Sequence, residues 1–320
     1  MPKAKTSLNL TTEIAGIRFQ NPVTVASGTF GSKDEYARYV DYGKLGAIVT
    51  KTVTPKPRKG NPMPRIFETP SGMLNAIGLQ NKGIDDFIEN KIPYFQNIKT
   101  HLIVNIAGES IEDFVGLAKK LDREKGVAAL ELNISCPNVK KGLEFCAKPE
   151  LTYEVVKAVK EATHLPVFTK LSPEARDFLG IAESAIKAGT DALSLINTIR
   201  GMAVDIEKLR PQIANVFGGL SGPAVRPIAL RYLYEVKREF QIPVMAMGGI
   251  MTAQDALEFI ITGAHLVAVG TANFVNPGAT MEILEGIKNY LKRKGHNSID
   301  QVRGSLKIKN ETQVSSVPAG

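Results

Sequence analysis

Cys136 is the residue of this chain best placed to do chemistry. It stands in Asn133-Ile134-Ser135-Cys136-Pro137-Asn138, between two amides and ahead of a proline, where the apolar run 128–134 ends. A loop leaving a strand end can point side chains into a shared pocket. The thiol is therefore a candidate acid, base or nucleophile. Two lysines, Lys51 and Lys170, sit inside other apolar runs, where a cation is costly unless it meets an anion or hydrogen-bond acceptors. Ser27, Thr52, Asn105, Asn133, Asn197 and Thr198 occupy equivalent strand-end places. One lysine at a strand end is ordinary snorkelling. Two lysines with three asparagines in matching positions read as a site.

Glycines give a second signal. Gly248-Gly249 closes one apolar run and Gly270-Thr271 closes the next. Glycines let backbone N–H groups approach phosphate oxygens, and Thr271 opens a short segment, 272–275, whose N-terminus favours an anion. A phosphorylated ligand is expected there, and FMN fits. The four histidines (His101, His164, His265, His296) fall at element edges, and none pairs with Cys136, which disfavours a Cys-His hydrolase. No Cys or His lies at zinc spacing, so no metal is expected. Cys146 reads as a small buried hydrophobe.

These residues need a scaffold that brings strand ends together. Apolar or β-branched runs at 22–27, 46–52, 102–107, 129–135, 166–172, 191–197, 243–248 and 266–270 read as strands buried on both faces. Helical patterns at 84–97, 111–125, 149–162, 178–188, 225–240, 253–261 and 281–294 alternate with them, and a weaker one covers 34–42. Eight βα units predict a (β/α)₈ TIM barrel, whose chemistry belongs at the C-terminal strand ends. No Gly-x-Gly-x-x-Gly follows the first strand, which disfavours a doubly wound sheet. The connections 53–82 and 198–223 are long enough to be lids or binding loops. One barrel domain is expected over 1–320, with 310–320 a mobile tail.

Bulk properties narrow the class. The chain has 320 residues, 43% hydrophobic and 22% charged, an ordinary soluble composition. No apolar run approaches the roughly 18–20 residues that span a bilayer, and 1–10 lacks the apolar core of a signal peptide. Two cysteines fit a reducing, cytoplasmic setting. The net charge of +8 is mostly mixed in sign, although 51–67 holds five basic residues and no acid. No membrane or nucleic-acid partner is expected.

Several motifs together resemble class 1 dihydroorotate dehydrogenases, the FMN barrels, and more narrowly the class 1B catalytic subunit. They are Thr50 to Thr54, Pro62 to Ile66, Asn75 to Asn81, Asn133 to Asn138, Leu195 to Thr198, Gly218 to Pro223 and Gly270 to Pro277. The resemblance runs from about Leu8 to Lys294 and favours 1B over the fumarate-using 1A branch. It implies oxidation of dihydroorotate to orotate in pyrimidine biosynthesis, with Cys136 as the base at C5 and FMN as hydride acceptor. Lys51, Asn75, Ala76, Ile77, Gly78, Leu79, Asn133, Asn197 and Thr198 would hold the substrate. Ser27, Lys51, Thr52, Asn105, Asn133, Lys170, Ile196, Gly222, Gly248, Gly249, Gly270 and Thr271 would line FMN, with Lys170 at the flavin N1–O2 edge. A homodimer within a heterotetramer is implied, its second subunit carrying FAD and a 2Fe–2S cluster and passing electrons to NAD. This chain has no dinucleotide fingerprint, and two cysteines cannot supply the four ligands such a cluster normally takes. The sequence departs from its relatives at 139–146, on the loop after Cys136, and at Glu174, where Asn is common. A tRNA-dihydrouridine synthase is the main rival, but its motif resembles Asn-Met-Gly-Cys-Pro and a helical RNA-binding domain follows its barrel. A Schiff-base aldolase using Lys170 leaves Cys136 and the paired glycines without a role.

Overall fold

In the computed structural model, which describes residues 8–134 and 145–308, eight short parallel strands form one sheet. They are Val23–Val25, Ala47–Val49, His101–Ile106, Val127–Asn133, Val167–Leu171, Ala192–Leu195, Val244–Met247 and Leu266–Val269. Each lies inside or within two residues of a run expected from sequence. The sheet order follows chain order from the second strand to the eighth, which then pairs with the first. First and second strands are tied by Gly46 N–H to Val23 O (2.8 Å) and Thr24 Oγ1 to Ala47 O (2.8 Å). A Cβ at Gly46 would lie 2.1 Å from Asn21 O, so only glycine permits that closure. The result is a (β/α)₈ barrel.

Strand residues alternate strictly between two packed layers. Leu102, Val104, Leu130, Leu132, Val167, Leu193, Val244 and Val267 join the apolar layer under the helices. Ala47, Val49, Ile103, Ala129, Phe168, Ala192, Met245, Leu266 and Ala268 join a second cluster inside the barrel. The hairpin of Thr12–Ile14 and Ile17–Phe19 closes the N-terminal mouth of that interior with Ile14 and Phe19. Of the positions expected to carry polar chemistry, Asn105, Asn133 and Lys170 lie within strands, and all three have the interior parity.

The helices follow the expected order, with two differences. The pattern at 84–97 divides into Gly83–Asn90 and Ile92–Phe95, because Pro93 supplies no N–H and its ring clashes with the preceding turn. The pattern at 34–42 gives turns and a 3-10 turn, Tyr42–Lys44, instead of a helix. There the Tyr36 N–H goes to Tyr42 Oη (3.1 Å), and Tyr36 stacks on Phe30 with centroids 4.5 Å apart. Side-chain packing has taken the place of the helical ladder.

The two long connections are strands as well as loops. From the first, Ile66–Thr69 pairs with Gly72–Asn75, which pairs with Phe217–Ser221 of the second, and that with Ile199–Met202, all antiparallel in one four-stranded sheet, the excursion sheet. Glycines hide this from a pattern search. A Cβ at Gly219 would sit 2.1 Å from Thr198 Oγ1, so the close approach removes the side chains that alternation would display. The tail 310–320 lies outside the described residues.

Candidate functional site

Three clusters meet the C-terminal ends of the barrel strands. The deepest is built on the third, fourth and fifth. Lys170, with its side chain 6% exposed, donates to Ser27 Oγ at 2.9 Å, and its Nζ lies 3.7 Å from Glu131 Oε1. Glu131 is wholly buried and accepts from Asn105 Nδ2 at 2.5 Å. The Asn105 N–H in turn donates to Thr50 Oγ1 (3.1 Å). Three buried polar atoms in this layer, Asn105 Oδ1, Glu131 Oε2 and Ser194 Oγ, have no partner among the described residues. Ser194 pairs in register with Lys170, and Asn105 with Glu131. Buried polar groups are ordinarily satisfied, so this open set reads as a site that meets a polar ligand.

The second cluster faces the excursion sheet. Asn197 Nδ2 donates to Asn133 Oδ1 (3.3 Å), and Thr198 N–H to Asn197 Oδ1 (2.9 Å). Thr198 lies against Gly219, whose carbonyl accepts from Asn75 Nδ2 (3.3 Å). Amides able to both donate and accept are thus chained from the barrel to Asn75. Beyond it, Asn61 holds the Ala76 and Ile77 carbonyls by its Nδ2 (2.9 Å) and N–H (3.0 Å). Gly78 and Leu79 follow with φ of +74° and +54°. A leucine in the left-handed region is strained, a cost that persists chiefly at functional segments.

The third cluster is the glycine loop. Gly248 and Gly249 adopt φ of +127° and +72°, and a Cβ on Gly249 would lie 2.9 Å from both Arg226 N and Gly222 O. Asp255, 5% exposed, accepts the N–H groups of Met251 (3.0 Å) and Thr252 (2.9 Å) and pairs with Arg226. The loop after the seventh strand is therefore fixed from outside, its glycines left free of side chains. Thr271 Oγ1 donates to Ser221 Oγ (2.8 Å), joining the eighth strand's end to the excursion sheet, and Gly270 precedes it. The short helix Ala272–Val275 forms where expected.

Lys51 stands apart from these bonds. It is half-buried beside Thr52 in a cavity of about 410 Å³ that is also lined by Phe30, Arg58, Gln80 and Asn81. Burial, then the nearby Arg65 charge, hold its ammonium below the usual lysine range, with Glu35 opposing weakly. Ile196 is buried next to the second cluster. Cys136 lies outside the described residues. Among the described residues no group of three His, Cys, Asp or Glu side chains could hold a metal. Glu131 and Asp255 are the participants that sequence reasoning passed over. A single acid inside the run 128–134 was the available signal for Glu131.

A parallel barrel with a glycine loop after its seventh strand and an interior lysine defines a (β/α)₈ barrel of the enzyme type, with a phosphate-binding loop geometry. A family model described as dihydroorotate dehydrogenase matches residues 9–291. The chain belongs to the dihydroorotate dehydrogenase family. It is 52% identical over 302 residues, 94% of its length, to the whole of the dihydroorotate dehydrogenase B (NAD(+)) catalytic subunit of Alkaliphilus metalliredigens. The proteins of the same description from Geotalea uraniireducens and Desulforamulus reducens are 51% and 52% identical, over 93% and 94% of this chain and 98% and 99% of theirs.

Proposed function

We propose that this chain is a class 1B catalytic subunit that binds FMN, oxidises dihydroorotate to orotate and passes electrons to NAD through a second subunit. The observation carrying the reading is the buried Lys170–Glu131–Asn105–Ser27 cluster, with its three unpartnered polar atoms, inside a barrel of this family. Those residues fit a flavin. The ring's pyrimidine edge offers acceptors to an ammonium and an N–H donor to an amide oxygen. Gly222, Gly248 and Gly249 suit its phosphate, as positive-φ backbone with no side chain in the way, with Gly270 and the Thr271 hydroxyl beside them. Ser27, Lys51, Thr52, Asn105, Asn133, Lys170 and Ile196 would line the rest.

FMN, when bound, supplies the acceptor for the hydride that leaves C6 of dihydroorotate. Cys136 takes the C5 proton as general base, and loss of both hydrogens leaves the C5=C6 double bond of orotate. Lys51, Asn75, Ala76, Ile77, Gly78, Leu79, Asn133, Asn197 and Thr198 orient the ring and its carboxylate. A cation suits the carboxylate, and amides suit a pyrimidine that presents both donors and acceptors.

The relatives' name, catalytic subunit, supports a partner, and we assign FAD and the 2Fe–2S cluster to it. A homodimer within a heterotetramer follows from the same reading. No helix of the described residues is long and apolar enough to cross a membrane, and a cytoplasmic location is proposed. The test is anaerobic addition of dihydroorotate to the purified yellow protein. Flavin bleaching with orotate formation is expected, slowed at least ~100-fold at neutral pH in Cys136→Ala. Bleaching by NADPH with no response to dihydroorotate would overturn the reading in favour of a tRNA-dihydrouridine synthase.

A further inference from the structure

The barrel interior contains a buried carboxylate that no step above uses. Glu131 is wholly buried, and the oxygen facing Lys170 also receives the Asn105 amide. Its other oxygen has no partner among the described residues. Among the described residues it is the only anion within 4 Å of Lys170 Nζ. The other contact of that ammonium, Ser27 Oγ, is neutral. A carboxylate placed this deep is costly, and it is retained only where something compensates for it.

We propose that Glu131 is a positioning residue for flavin reduction: held by Asn105, it fixes the Lys170 ammonium at the edge of the flavin where negative charge accumulates. This rests on the reading that Lys170 faces the flavin. The geometry argues for anchoring rather than for direct action. Strands four and five pair Glu131 with Phe168 and Asn133 with Lys170, so the carboxylate and the ammonium meet diagonally between the two strands and are not a register pair. Its Oε1 approaches Nζ at 3.7 Å, too far for a direct hydrogen bond, and this leaves ammonium protons for another acceptor. Asn105 sets the carboxylate's orientation, and Thr50 fixes the backbone of Asn105. Without the carboxylate, an isolated ammonium in this layer is relieved by turning toward water. That removes the positive charge from the flavin edge.

The experiment compares the affinities of oxidised and reduced FMN for the apo form of the chain, wild type against Glu131→Gln, Lys170→Met and the double variant. Glu131→Gln keeps the volume and an oxygen for Asn105, so a packing role alone would change neither affinity. The expected result is reduced FMN bound about tenfold or more weakly in Glu131→Gln, with oxidised FMN little changed. Lys170→Met should lose as much, and the double variant no more than Lys170→Met. Additive losses, or tighter binding of reduced FMN in Glu131→Gln, would overturn the proposal. If Lys170→Met binds reduced FMN like wild type, the placement of Lys170 itself is wrong. Glu131→Asp, which keeps the charge one methylene further from Nζ, should fall between wild type and Glu131→Gln. It carries the test if Glu131→Gln does not fold, and a wild-type affinity for reduced FMN in Glu131→Asp would then count against anchoring.

Discussion

The two mouths of this barrel are built from the same strands and the same face of each strand, yet they share almost no chemistry. At the N-terminal end the interior holds Ile103, Ala129, Phe168, Ala192, Met245 and Leu266, sealed by Ile14 and Phe19 of the entry hairpin. Two residues further along the third to sixth strands, the same parity gives Asn105, Glu131, Lys170 and Ser194. Facing direction alone therefore does not separate packing from function here. Height along the strand does, because the N-terminal mouth can be closed by apolar chain while the C-terminal mouth must admit a ligand. The difference predicts that changes low in the barrel cost stability and changes high in it cost binding.

The largest expected effect is at the low end. Phe168 is wholly buried, and Phe168→Ala should lower unfolding stability by about 3–5 kcal/mol in urea titrations. Protein that remains folded should bind FMN with near wild-type affinity. A large loss of affinity with little loss of stability would break the division between the two ends.

Next in size is a pH effect, also at the low end. His265 precedes the eighth strand, and its Nδ1 accepts the Val244 N–H at 3.4 Å. Burial first, then the Arg303 and Lys237 charges, push its pKa down to about 4, with Asp300 opposing. A depressed histidine is neutral in the fold while the unfolded chain takes up a proton below its ordinary value near 6.5. This contribution is thus fully present above about pH 6.5 and is lost as pH falls toward 4, by up to about 3 kcal/mol. Unfolding titrations from pH 7 to 4 should show that decline, and His265→Gln should flatten it. An unchanged slope in the variant would show that another group carries the acid sensitivity.

A mid-sized effect belongs to the glycine loop at the upper end. Gly249→Ala sets a Cβ against Arg226 N and Gly222 O at a positive φ, which should cost about 1–3 kcal/mol. If that loop cradles the phosphate, the variant should lose FMN affinity at least ~10-fold while binding riboflavin as wild type does. Equal losses for both ligands would make the glycine a matter of packing alone.

How much of this was readable in advance differs in the same way between regions. The eight strands were legible because burial on both faces leaves long apolar runs, and Lys170 and Asn105 stood out as polar interruptions of such runs. Glu131 interrupts its run equally, but one acid in a strand names no partner. Only the register that sets it beside Asn105 and near Lys170 gives it a role. The excursion sheet was illegible for the opposite reason. Gly201, Gly218 and Gly219 pack so closely that the alternation expected of strands is missing from the sequence. The tyrosine-rich turn at 34–42 shows helical spacing that aromatic packing on Phe30 overrides.

The smallest expected change in stability is the sharpest test of what the upper end is for. Glu131→Gln with Lys170→Met removes both buried charges at once and keeps an acceptor for Asn105. Buried ion pairs contribute little net stability, because the cost of desolvating two charges offsets their attraction, and apolar replacement of similar volume is often neutral. The double variant should therefore unfold within about 1 kcal/mol of wild type and be more stable than Lys170→Met alone, which strands a buried carboxylate. If the double variant is as unstable as Lys170→Met alone, the pair is part of the barrel's packing, and the two ends differ less than their residues suggest. If it is stable but no longer holds reduced FMN, the charges are there for the ligand, because a barrel interior that can be filled without them has no folding reason to keep them.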